Sequence, residues 1–122
     1  MSAFNQDTHH LRRLYKATGY SIAGLKATFQ YEQAFRLEVY LLLLLIPLAI
    51  WLGDSPVEYI LLIGSWIIVM ITELLNSAIE AAIDRISMEH HELSGRAKDI
   101  GSAAVLMSLV LAGGTWVLLL IT

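Results

Sequence analysis

"IGSAAVLMSLVLAGGTWVLLLIT", residues 100–122, runs for 23 residues without a charge. A helix rises about 1.5 Å per residue and the hydrocarbon core of a bilayer is about 30 Å thick, so roughly 20 apolar residues cross it. The segment is read as a spanning helix, and the rest of the chain is placed from it. More than half of the 122 residues are apolar and the charges sit in a few blocks, which suits a membrane protein better than a soluble domain of this length. Working back, residues 39–53 are uncharged over 15 positions. They reach spanning length when Ala34 and Leu37 extend them and Arg36 and Glu38 lie at the interface. Residues 59–72 supply 14 more, enough to span only if the following polar stripe is included. "GDSPVE", residues 53–58, is a tight turn that joins these two helices into a hairpin. Pro47 is expected to kink the first span rather than end it.

The remaining segment is N-terminal. Leu11, Leu14, Thr18, Ile22, Leu25 and Phe29 share one face at helical spacing, with Arg13, Lys16 and Tyr20 opposite, the pattern of a helix lying along a membrane surface. Gly19 and Gly24 weaken it. The opening "MSAFNQDTHHLRR" lacks the charged-then-apolar layout of a signal peptide, so the N-terminus is expected to be retained. The expected fold is an all-α membrane protein. A single domain over 1–122 has an amphipathic surface helix at about 10–33, followed by spans at about 35–53, 57–83 and 98–121. All eight Lys and Arg lie between Arg12 and Arg36 or between Arg85 and Lys98. The positive-inside rule therefore puts the N-terminus and the 85–99 loop in the cytoplasm and the C-terminus outside. The absence of cysteine excludes disulfides and thiolate metal sites. The net charge of -3, with no long basic run, gives no footprint for nucleic acid.

Within "TELLNSAIEAAID", residues 72–84, Glu73, Asn76, Glu80 and Asp84 follow at spacings of three, four and four. On a helix they fall within an arc of roughly 80°. If the second span enters from outside near Tyr59, Glu73 lies about 20 Å along it, with Glu80 and Asp84 near the cytoplasmic surface. An ionisable group inside the membrane costs at least about 2.5 kcal/mol, so Glu73 needs a partner, a proton or a task. One reading is a polar network between helices, with Asn76 bonded across an interface and Glu80 paired with Arg85 or Lys98. Another is a cation path in an oligomeric channel. The third is chemical. Two carboxylates at the surface could hold a hard cation such as magnesium, and a deeper one could act as general base toward a lipid hydroxyl.

"ELLNSAIEAAIDR" (73–85) followed by "HELSGRAKDIGSAAV" (91–105) resembles the signature of the small prokaryotic diacylglycerol kinases. The likeness extends back through "EQAFRLE" (32–38) and "RRLYKATGYS" (12–21), leaving about the first ten residues outside. The resemblance implies transfer of the ATP γ-phosphate to the primary hydroxyl of diacylglycerol, giving phosphatidate. It also implies magnesium dependence, a bacterial inner membrane and a homotrimer with active sites shared between protomers. Some relatives phosphorylate undecaprenol instead, and the shared motifs do not separate the two lipids.

Carried over residue by residue, the resemblance puts the general base at Glu73 with Asn76 beside it, and the metal-binding carboxylates at Glu32 and Glu80. ATP is implied to meet those two carboxylates and Arg13, Tyr20, Glu89, His90, His91, Lys98 and Asp99. The lipid is implied to lie along the surface helix at Arg13, Ala17, Ser21 and Lys26. It continues along the first span at Ala34, Phe35, Arg36, Leu37, Glu38 and Trp51, and reaches Glu73, Ser102 and Trp116. Position alone singles out Glu73 and Glu80 and makes Lys98 a candidate phosphate neutraliser, whereas nothing in spacing picks Glu32. Adjacent histidines and "RAKD" in a polar loop read as solvated when taken alone. No G-x-x-x-x-G-K-[ST] is present, so basic side chains and magnesium must do the work of a P-loop.

Overall fold

The computed structural model describes residues 3–86 and 91–122. They form four helices, α1 (Ala3–Tyr31), α2 (Gln33–Leu52), α3 (Pro56–Ile86) and α4 (Glu92–Ile121). The last three are each long and apolar enough to cross a membrane. The helices outrun the segments read from hydropathy. α1 starts seven residues before the expected position, α3 runs on to Ile86, and α4 starts at Glu92 rather than near residue 98. The reason is that apolar content marks where lipid is, whereas a helix continues for as long as its backbone stays paired and no breaker intervenes. α2 continues through Pro47, as a spanning helix can.

Local chemistry sets the helix ends. Glu32 is the one extended residue between α1 and α2 (φ -114°, ψ 109°). The orphaned carbonyls at the end of α1 are met by Arg36, whose Nη1 donates to Phe29 O at 2.9 Å and Gln30 O at 2.8 Å. At the hairpin, Ser55 Oγ accepts from Glu58 N at 3.3 Å, and Glu58 Oε2 accepts from Asp54 N at 2.8 Å. With Pro56 opening α3, this is a reciprocal cap of the S-x-x-E kind, shifted back by one donor. His91 caps α4, its Nδ1 accepting from Leu93 N at 3.1 Å.

α3 is the centre of the chain. It packs most extensively on α4 and next on α2, while α1 joins mainly through α2. Leu62, Ser65 and Val69 are the buried residues of α3, as Gly101, Ser108 and Ala112 are of α4 and Phe35, Glu38 and Ala49 of α2. In a membrane the apolar surface of a helix gains little by leaving lipid, so association rests on close backbone approach over small residues and on interhelical hydrogen bonds. Both are present. Trp66 Nε1 donates to Glu38 O and Trp116 Nε1 to Leu62 O, each at 3.0 Å. The Thr72 and Ser108 hydroxyls lie 2.9 Å apart, each also within reach of a carbonyl three residues back on its own helix. By contrast, the first half of the apolar face of α1 is uncovered among the described residues, Leu11 and Leu14 being 67% and 65% exposed, while Phe29 near its end meets Tyr40 of α2.

Candidate active site

Below the small-residue seam, the face of α3 changes character. Glu73, Asn76 and Glu80 are half-buried and Asp84 is exposed. Glu73 lies within electrostatic reach of both Glu32 and Glu80, and Glu38 within reach of Glu73. Four carboxylates from the α1–α2 junction, α2 and α3 therefore share one region. Such a cluster is self-repelling unless cations or protons join it. Two polar atoms in it are enclosed without a hydrogen-bond partner, Glu38 Oε1 and Asn76 Oδ1. Native structures leave few such atoms, and they call for an explanation.

Two grooves reach this region. One, of about 640 Å³, runs between the second half of α1 and α3, with Ser21, Thr28, Tyr31 and Glu32 on one wall and Leu74, Ser77 and Ala81 on the other. The second, of about 390 Å³, is almost wholly apolar and lined by Leu25, Lys26, Phe29, Phe35, Val39 and Met70. A polar-edged groove that ends at a carboxylate and an apolar groove beside it suit a ligand with a polar head and an aliphatic body.

The prokaryotic diacylglycerol kinase family model matches residues 19–120. The diacylglycerol kinase of Escherichia coli K12 is 52% identical over 114 residues, covering 93% of each chain. That of Haemophilus influenzae is 51% identical over 109 residues, 89% of this chain and 92% of the other. That of Pseudomonas aeruginosa is 49% identical over 111 residues, 91% and 90% of the two. This chain belongs to the prokaryotic diacylglycerol kinase family.

Set against the residues the resemblance implies, the fold gathers some and leaves others apart. Glu32, Glu38, Glu73 and Glu80 interact electrostatically. Lys98 stands on the α4 side of the stripe, but its Nζ pairs with Asp84 at 2.8 Å; the pairing of Glu80 with Arg85 or Lys98, which belongs to the helix-packing reading, is not formed among the described residues, because Asp84 is the stripe residue opposite the first turns of α4. Ser21 lines the α1–α3 groove, and Lys26 and Phe35 line the apolar one. Arg13, Ala17 and Tyr20 stand exposed on α1, as do Ala34 and Leu37 on α2 and Asp99 and Ser102 on α4. Trp51 is also exposed, whereas Trp116 is partly engaged in holding α4 to α3. Arg36 and His91 both have structural bonds of their own, as caps of α1 and α4. Glu89 and His90 lie outside the described residues.

The donor set fits magnesium in kind. Glu32 makes no capping bond with its side chain, both it and Glu80 offer hard oxygen ligands, and among the described residues no three His, Asp or Glu converge on one point. Magnesium is usually held by one or two carboxylates, with water and substrate phosphate completing its shell. Sequence reasoning missed the Thr72–Ser108 bridge and, although one reading set Asn76 across a helix interface, did not find Gly101 as its neighbour. Both are meetings between helices that no periodicity within one helix signals.

Proposed function

We propose that the protein is an ATP- and magnesium-dependent diacylglycerol kinase, converting the lipid to phosphatidate at the cytoplasmic face of the bacterial inner membrane. The observation that carries this reading is Glu73. It is a half-buried carboxylate inside a spanning helix, within electrostatic reach of Glu32, Glu38 and Glu80, and its neighbour Leu74, with Glu32, lines a groove of about 640 Å³ between α1 and α3. A carboxylate in that position has no ion pair to explain it among the described residues.

In the proposed reaction Glu73 accepts the proton of the lipid's primary hydroxyl as the hydroxyl oxygen bonds to the γ-phosphorus and the bond to ADP breaks. Asn76, one turn along the same face, offers two N–H donors to orient the carboxylate or a reacting oxygen. Glu32 and Glu80 would hold magnesium, which when bound neutralises phosphate charge. Lys98 adds a cation at the membrane surface, exchanging its contact with Asp84 for one with phosphate. The acyl chains follow the apolar groove past Phe35 and Val39, which keeps the lipid headgroup at the level of Glu73 while nucleotide stays in water. α1 lies on the membrane surface, its uncovered leucines in lipid. A homotrimer would bring the exposed Arg13 and Tyr20 of one α1 toward the carboxylates of a neighbouring protomer.

The test is to offer the purified protein, in mixed micelles, γ-labelled ATP with either diacylglycerol or undecaprenol across a magnesium titration. Label in phosphatidate that requires magnesium is the expected result. Label only in undecaprenyl phosphate would overturn the substrate, and nucleotide-independent conductance with no lipid phosphorylation would overturn the kinase reading in favour of a channel.

A further inference from the structure

The enclosed, unpartnered oxygen of Asn76 has a neighbour that accounts for it. A Cβ built on Gly101 of α4 would overlap Asn76 Oδ1 and come within 3.2 Å of Asn76 Cγ. The hydrogen that glycine carries at that position therefore points at the amide oxygen, the arrangement of a weak Cα–H···O contact between packed helices. The oxygen is the correct end of the amide to face it, since an NH₂ there would set hydrogen against hydrogen.

Space, and not backbone freedom, is what requires glycine here. No described glycine has a positive φ, and Gly101 is buried in the middle of a helix. Gly19, Gly24, Gly64, Gly113 and Gly114 have room for a methyl group. Gly53 has none, but it packs on the Tyr59 ring at the hairpin, away from the stripe.

The geometry points to Gly101 as a positioning residue for the phosphoryl-transfer site: its bare Cα is the wall against which the Asn76 amide is held, so that the two N–H donors face the Glu73–Glu80 stripe. An amide is planar and rigid, so holding the oxygen against α4 restricts where the nitrogen can go. Only the oxygen, not the nitrogen, is an enclosed and unpartnered atom, which leaves the donor end as the accessible one. Asn76 Oδ1 is the far end of its side chain, so a methyl at position 101 is expected to turn the amide away rather than force the helices apart.

The inference rests on the proposed kinase reading, and its test separates the two. In full-length protein in mixed micelles, Gly101→Ala is expected to lower kcat about 10²-fold, the scale of a misplacement near 1 Å, with the KM for ATP little changed. Asn76→Ala combined with Gly101→Ala should lose no more than Asn76→Ala alone, because the group being positioned is gone. Additive losses would overturn the assignment, as would a Gly101→Ala enzyme with normal kcat. If Gly101→Ala fails to fold, recovery of folding in the double variant upholds the contact, and failure of both overturns it. A readout independent of turnover is the pair of Asn76 side-chain amide resonances in ¹⁵N–¹H spectra, identified by their loss in Asn76→Ala. They should move or broaden in Gly101→Ala, and unchanged resonances would reject the positioning role even if the protein proved to phosphorylate no lipid.

Discussion

The two halves of α3 are built from the same kind of helix and treat polar atoms in opposite ways. In the half nearer the hairpin, Ser65 Oγ donates to Leu62 O at 3.0 Å, Trp66 reaches across to Glu38 O, and Thr72 meets Ser108. Every one of these groups is spoken for. From Glu73 to Glu80 the helix carries Glu73, Asn76 and Glu80, none of which is seen in an interhelical hydrogen bond, and Asn76 Oδ1 meets only the bare Cα of Gly101; pairing across the helices resumes at the exposed Asp84, which meets Lys98. The boundary falls between adjacent residues, Thr72 and Glu73. A polar group that is fully bonded inside a membrane holds helices together, whereas a half-buried carboxylate with no partner in the chain, at a cost of a few kcal/mol, is available to something that the folded chain does not contain.

The sharpest way to break this comparison is at Glu73. A lipid alcohol is a weak nucleophile, and a positioned base contributes about 10²- to 10⁴-fold to the transfer. Glu73→Gln keeps the shape but cannot take the proton, so kcat should fall by that range while ATP affinity is retained; Glu73→Asp should keep part of the activity, reduced about 10²-fold by the shorter side chain. Next come Glu32→Gln and Glu80→Gln. Each should raise the magnesium and ATP requirements together by at least about tenfold, since even residues one layer removed from a metal act on that scale. Normal magnesium titrations in both variants would remove the metal assignment. The smallest effect belongs to the bonded half. Trp66→Phe removes one interhelical donor and should cost about 0.6 kcal/mol of stability, the average for such bonds in membranes, with turnover per folded molecule unchanged. Orientation gives a check of another kind: a cysteine at Ser55 should react with an impermeant reagent from outside the cell, and one at Ser94 should not.

Much of this architecture is legible in the chain before any coordinates. The uncharged run of residues 100–122 and its two shorter companions correspond to α4, α2 and α3, because the need to match a bilayer acts on each helix separately and so leaves its mark in one dimension. The stripe from Glu73 to Asp84 is visible for the same reason. Ser55 and Glu58 already stand at capping-box spacing in "GDSPVE", although the stretch reads first as a turn. Glu32 is different. It is one carboxylate at a break between two helices, with no Gly or Pro to announce the break, and the Arg36 guanidinium that ties off α1 acts from four residues further on. Gly101 is less legible still, since a glycine in a spanning helix is ordinary and its contact with Asn76 exists only once α3 and α4 are side by side.

Thr72 and Glu73 offer the most direct measurement, because one step along the helix separates the two treatments of polarity. Thr72→Val and Glu73→Gln should be purified side by side in the same micelles, and for each both the unfolding free energy and kcat at saturating lipid determined. Thr72→Val is expected to lose about 0.6 kcal/mol of stability with kcat per folded molecule intact, while Glu73→Gln keeps its stability and loses kcat by about 10²-fold or more. A stable, fully active Glu73→Gln protein, or one whose loss of activity merely follows its unfolding, would contradict the account and return the stripe to a role in helix packing.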